Sequence, residues 1–167
     1  VLDLATGRVS DLPLMGCTTD LDVAPGGERA ACVAAESADS ELAVYDFKTR
    51  KKALLGATGS KPSWSPDGRW LAYVWRGAEL RLYDPESGRV QALSTGLERD
   101  LDATDDFQLA VRPSWSADSR LLHFELGYQR DPKDGSQVFA QNFVADLERR
   151  EVWRADDYVL SLAWSPV

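Results

Sequence analysis

The stretch PSWSPDGRWLAYVW, residues 62–75, decides how the rest of the chain is read. A short apolar run ends in Trp64, a Ser-Pro-Asp-Gly turn follows, and an aromatic, β-rich run follows the turn. The turn glycine supplies the positive φ that a tight reversal needs. Nearly the same phrase returns as PSWSADSRLLHFEL from residue 113, and its opening returns as LAWSP from residue 162. Aligned on the turn, the copies start at Ala24, Ser65, Ser116 and Ser165, which are 41, 51 and 49 residues apart. A second phrase alternates with the first: LDLATGRVSDL from Leu2, YDFKTRKKALL from Tyr45, YDPESGRVQAL from Tyr83 and ADLERREVWRA from Ala145.

Each unit reads as strands. ELRLYD alternates apolar with polar residues, and GRVQAL alternates again after PESG, the period-two signature of half-buried strands. Four antiparallel strands per unit, at this period, predict an all-β chain built as a β-propeller segment. The expected blades are 21–57, 62–96 and 113–155, with partial terminal blades at 1–13 and 158–167. No segment carries a convincing helical stripe; TGLERDLDATDDFQLAV, residues 95–111, is the nearest, with room for one helical turn or two.

WSPDGRWLAYV followed by LRLYDPESGRVQALS resembles the TolB-type propeller repeat, a relative of the WD-type repeats. The unit at 62–96 matches closely, and the unit at 113–155 matches with an insertion. The unit at 21–57 departs from the pattern: Val23 stands for the tryptophan and Gly26-Gly27 for the turn. The resemblance covers almost the whole chain. It implies a non-enzymatic scaffold for a protein or peptide partner in an extracytoplasmic compartment. The alternatives are the substrate-gating propeller of a prolyl-oligopeptidase-like peptidase and a sensor domain of a membrane-anchored signalling protein. Fold alone does not choose among these.

The 167 residues suffice for one domain with a real core. The formal net charge of −8 argues against non-specific nucleic-acid binding, which needs a basic footprint. No apolar run is long enough to span a membrane. The first residues lack the basic start and apolar core of a signal peptide, and no initiator methionine is present; a longer parent is expected, with pairing of copies through open blade edges as the alternative. Cys17 and Cys32 are the two cysteines. The expectation is two buried free thiols, and a bridge, with the oxidising compartment it implies, is the alternative.

In a propeller the loops alternate between two faces. The loops joining fourth to first and second to third strands carry Asp20, Glu41, Glu79, Asp100, Asp102, Asp105, Asp106, Asp131, Asp156 and Asp157 among others. The opposite turns carry Arg29, Arg50, Arg69, Arg89, Arg120, Arg149 and Arg150. One acidic and one basic face are therefore expected, with a cationic partner steered to the first. The candidate binding residues are Asp100, Asp102, Asp105, Asp106, Tyr128, Arg130, Asp156, Asp157 and Trp75. They belong to the long connections 95–111 and 127–136, the loop 155–160, and a strand end beside the RGAE loop. No cofactor is expected. Ca²⁺ at the four aspartates is an open alternative, although the EF-hand glycine and glutamate are missing.

Catalytic signatures are missing from the sequence. His123, the single histidine, falls inside a second strand where the neighbouring unit has Ala72, so a packed strand histidine is expected rather than a triad base. No Gly-x-Ser-x-Gly elbow, phosphate-cradling loop or paired-cysteine metal motif occurs. Trp64, Trp115 and Trp164 recur at one place in the repeat, which marks them as core. Trp75 is weighed as an aromatic platform against packing between blades.

Overall fold

The computed structural model describes residues 16–34, 41–57, 59–75, 79–93, 106–129, 138–155 and 164. Among these residues, twelve strands form three four-stranded antiparallel sheets. The first sheet contains β1 (Cys17–Val23), β2 (Arg29–Ala34), β3 (Glu41–Asp46) and β4 (Lys51–Ala57). The second contains β5 (Gly59–Trp64), β6 (Leu71–Trp75), β7 (Glu79–Tyr83) and β8 (Val90–Leu93). The third contains β9 (Asp106–Trp115), β10 (Leu121–Gln129), β11 (Val138–Asp146) and β12 (Glu151–Arg154). Strands follow sequence order within every sheet, and the first strands β1, β5 and β9 are neighbours in space. This is the β-propeller arrangement, and the three sheets do not close into a ring. The expected partial blades lie outside the described residues, apart from Trp164.

The repeated turn is held by side chains. Ser65 Oγ donates to Asp67 Oδ1 at 2.6 Å and accepts from the Trp70 amide at 2.9 Å. Ser116 repeats this with Asp118 and the Leu121 amide, at 2.6 and 2.8 Å. Gly68 takes φ +71° there, a region open to glycine at no steric cost. Ser119 occupies the same region at φ 60° in the third sheet, and its hydroxyl accepts from the Asp67 amide of the second sheet at 3.0 Å. The first-sheet turn keeps only the backbone part: the Gly27 amide donates to the Ala24 carbonyl at 2.8 Å.

Sheets pack face to face through apolar seams. The first seam combines Ala31, Val33, Leu42 and Val44 with Leu71, Tyr73 and Tyr83. The second combines Ala72, Val74, Leu80 and Leu82 with Leu122, Phe124, Phe143 and Ala145. Trp64 and Trp115 are buried as the repeat predicted. Trp115 Nε1 donates to the Ser63 carbonyl at 3.0 Å across the second seam. Trp164 Nε1 donates to the Ser114 carbonyl at 3.2 Å, the same relation one sheet further on.

Two expectations are corrected. Part of the long connection 95–111 is strand, because β9 begins at Asp106; part of the insertion 127–136 is strand, because β10 runs to Gln129. The two extensions pair with each other, Tyr128 opposite Phe107 and Gln129 opposite Asp106. Extended alternating backbone gains ladder hydrogen bonds there that a loop would forgo. The cysteines are not free thiols: Cys17 and Cys32 form a disulfide between β1 and β2. Cys17 pairs in register with Ala34, two residues from Cys32 on the same face of the sheet, which brings their Cα atoms to 5.7 Å, within bonding range.

Candidate binding cleft

Among the sequence-predicted site residues, Trp75 is the one whose side chain is described. Arg81 stacks its guanidinium over the Trp75 ring, 3.6 Å from the centroid, and also pairs with Glu79. Trp75 packs against the first seam as well, so one ring face is already covered. Asp106 and Tyr128 lie in β9 and β10 and are brought close by register. Asp100, Asp102, Asp105, Arg130, Asp156 and Asp157 lie outside the described residues.

On that same loop face, Asp20, Asp22 and Glu79 have cationic partners. A bulge in β1 gives Asp20 φ 56°. Asp20 and Asp22 face Arg112 of β9 at 3.9 and 3.7 Å. They also accept from the Lys61 and Trp64 amides at 3.1 and 2.7 Å. These bonds tie the inner strands of all three sheets together. Glu79 is taken up by Arg81.

The opposite, turn-bearing face is not simply basic, which corrects the expectation. Asp46 pairs with Arg29, and Asp146 with Arg120 at 2.6 Å. The Arg120 hydrogen bond holds the Asp146 carboxyl at about 2, helped by the Arg149 amide. Sorting by loop counted the arginines and passed over the turn aspartates beside them.

A cleft of about 1220 Å³ opens on this face between the second and third sheets. Its apolar floor includes Trp70, Leu93, Leu147 and Val152, all packed on the second-seam core. Val90 of the outer strand β8 is 42 % exposed beside it. Asp67, Asp84 and Asp118 line the rim, each hydrogen-bonded within its own turn. Ser87 Oγ donates to Asp84 Oδ2 at 2.6 Å, and the Ser65 and Ser116 hydroxyls serve Asp67 and Asp118 in the same way. For Asp84 and Asp118 the serine hydrogen bond is the main cause of a lowered pKa. For Asp67 burial pushes upward, and the Ser65 hydroxyl with the Arg69 amide outweighs it.

Arg120 of the cleft is consumed by Asp146 and Glu148. Arg69, Arg89 and Arg150 also line it and form no ion pair among the described residues. Arg69 lies 5.4 Å from the Trp70 ring centroid. Arg150, at φ 59°, takes the turn place that Gly88 fills at φ 71° in the second sheet. No sequence signal separates these three arginines from the others, because pairing depends on which aspartates the turns have already used.

No protein-family model matches the chain, and no curated protein matches it. Solved structures do match in shape. Oligogalacturonate lyase from Vibrio parahaemolyticus aligns with a TM-score of 0.57 and 14 % identity over 79 % of this chain and 37 % of its own. The β-propeller domain of the Trilobed protease from Pyrococcus furiosus aligns at 0.55 and 18 % over 84 % of this chain and 43 % of its own. A putative TolB from Agrobacterium tumefaciens aligns at 0.53 and 14 % over 79 % of this chain and 46 % of its own. The chain thus spans less than half of each of these proteins, and the likeness establishes one thing: the three sheets are blades of a β-propeller.

Proposed function

We propose that this chain is the recognition part of a propeller that does no chemistry itself and holds an extended, acidic segment of a protein or peptide in the cleft between the second and third sheets. The observation that carries this is the set of unpaired guanidinium groups of Arg69, Arg89 and Arg150 around an apolar floor. Guanidinium forks match carboxylates bidentately. Among the described residues the outer strand β8 pairs with β7 alone, so its other edge offers backbone groups to an added strand. The turn aspartates contribute negative charge at the rim; Asp84 uses both oxygens, and Asp67 and Asp118 use Oδ1, within their own turns. The Cys17–Cys32 bridge supports an extracytoplasmic location.

The test is fluorescence anisotropy with a labelled ten-residue acidic peptide and its neutral and basic counterparts. The acidic peptide binds tightest, and its affinity falls with salt. Combining Arg89→Ala with Arg150→Ala weakens it about tenfold or more, the equivalent of roughly 1.4 kcal/mol. Equal binding of all three peptides contradicts the proposal. A preference for the basic peptide points instead to the acidic loop face of Asp100, Asp102, Asp105 and Asp106 and a cationic partner. The alternative of a peptidase propeller draws support from the likeness to the Trilobed protease propeller; it places catalytic residues on a separate domain and leaves this cleft as a substrate contact.

A further inference from the structure

Strand β8 turns one row of side chains into the cleft and one backbone edge out of its sheet. Residues directly opposite in an antiparallel ladder share a face. Leu80 and Leu82 of β7 belong to the second seam, and they stand opposite Leu93 and Gln91. The cleft side of β8 is therefore Leu93 and Gln91, continued by alternation to Arg89 at the turn. Leu93 packs on the seam core and Gln91 is exposed. Arg89 has no ion pair among the described residues. The row runs from apolar through polar to cationic. Arg150 and Val152 of the third sheet line the cleft with it.

Val90 and Ala92 alternate with that row, and both are exposed. The Asp84 N–H donates to the Arg89 carbonyl at 2.9 Å, which makes Asp84–Arg89 a hydrogen-bonded position. Hydrogen-bonded and non-hydrogen-bonded pairs alternate along an antiparallel ladder. Tyr83–Val90 and Arg81–Ala92 are then non-hydrogen-bonded pairs. The N–H and C=O groups of Val90 and Ala92 consequently point to the outer edge, where no strand pairs with them among the described residues.

We infer that the segment held in the cleft is an antiparallel strand added to β8, with the order apolar–x–acidic–x–acidic from its N- to its C-terminus. This deepens the function proposed above and rests on it. The apolar residue lies opposite Leu93, and the two acidic residues lie opposite Gln91 and Arg89. An acidic residue opposite Leu93 would meet the apolar floor instead of a guanidinium, which is costly. Direct cross-strand neighbours are about 5 Å apart and diagonal ones about 7–8 Å, within reach of a long side chain, so Arg89 serves both carboxylates. The x residues lie opposite Ala92 and Val90 and bond to their backbone groups. Antiparallel pairing is the more stable ladder per residue, and the sheets of this chain are built with it.

The experiment is fluorescence anisotropy on the whole chain with labelled peptides built around Leu-Thr-Glu-Thr-Glu. A shuffled peptide, Glu-Glu-Leu-Thr-Thr, keeps composition and charge, and it binds about tenfold more weakly because the alternation is lost. N-methylation of both threonines removes the amides that meet Ala92 and Val90 and weakens the ordered peptide by about tenfold or more. N-methylation of both glutamates, whose amides point away from β8, changes affinity by less than about threefold. Equal affinity of the ordered, shuffled and N-methylated peptides, all tighter than a neutral peptide, overturns the added strand and leaves the preference for acidic segments standing. Loss on methylating the glutamates instead of the threonines overturns the antiparallel register. Failure of every acidic peptide to bind overturns both this inference and the function it rests on.

Discussion

The first and third sheets fill the same structural position by different means. At the centre of the second strand the third sheet places Phe124, whose ring stacks on Phe143 with centroids 5.4 Å apart. The first sheet places Cys32 there, among Ala34 and Ala43, and ties it to Cys17. The turns differ in parallel. Ser116 and Asp118 clamp the third-sheet turn, while the first-sheet turn has Ala24 and Gly26 at the equivalent places. The comparison teaches that a repeat can lose its packing aromatic and its turn clamp and keep its strands, provided a covalent link restores the lost constraint. The third sheet needs no such link.

The largest expected effect comes from the packed side of this comparison. Phe124→Ala empties the second seam and lowers unfolding free energy by about 3–5 kcal/mol, measured by denaturant titration. The double variant Cys17→Ser, Cys32→Ser comes next, at about 3 kcal/mol for a loop of this length. It should loosen the first sheet while the second seam stays protected in hydrogen exchange. Equal loosening of all three sheets would show that the bridge does not act as a local substitute.

Acid should separate the two sheets further. Asp46 and Asp146 end β3 and β11 at equivalent places. The main downward influence on Asp46 is the Thr49 amide, and its side chain is a quarter exposed. Asp146 sits at about 2, and its side chain has no exposed area. A depressed carboxylate pKa contributes stability that is complete above the ordinary value near 3.8 and is lost as pH falls toward about 2. Melting curves from pH 5 to pH 2 should therefore fall, and Asp146→Asn should flatten that fall more than Asp46→Asn. The smallest effect is a gain. Ala24→Ser with Gly26→Asp installs the missing turn clamp, and a Cβ at Gly26 meets only the flexible Glu28 side chain at 3.5 Å. Stability should rise by about 1 kcal/mol.

The fold was legible because the repeat is. Trp64, Trp115 and the Ser-Pro-Asp-Gly turn recur at a fixed place, and each copy forces the same strand, turn and strand. His123 was legible as a strand residue through its alignment with Ala72. The disulfide was not, since two cysteines 15 residues apart suit either a bridge or two thiols until the β1–β2 register is known. The loops were misjudged where hydrogen bonding between 106–111 and 127–129 outweighed the turn-rich composition around them. The cleft was hidden for a different reason. Charges can be counted in a sequence, but Arg120 and Arg89 look alike there, and only the folded chain gives the first to Asp146 and leaves the second unpaired.

The most direct test of the proposed function is amide hydrogen exchange of the chain with and without the acidic peptide. The account predicts slowed exchange at β8, Val90–Leu93, and at the turns holding Arg69 and Arg150. Unchanged exchange at β8, with protection confined to the acidic loop connections on the opposite face, would contradict it.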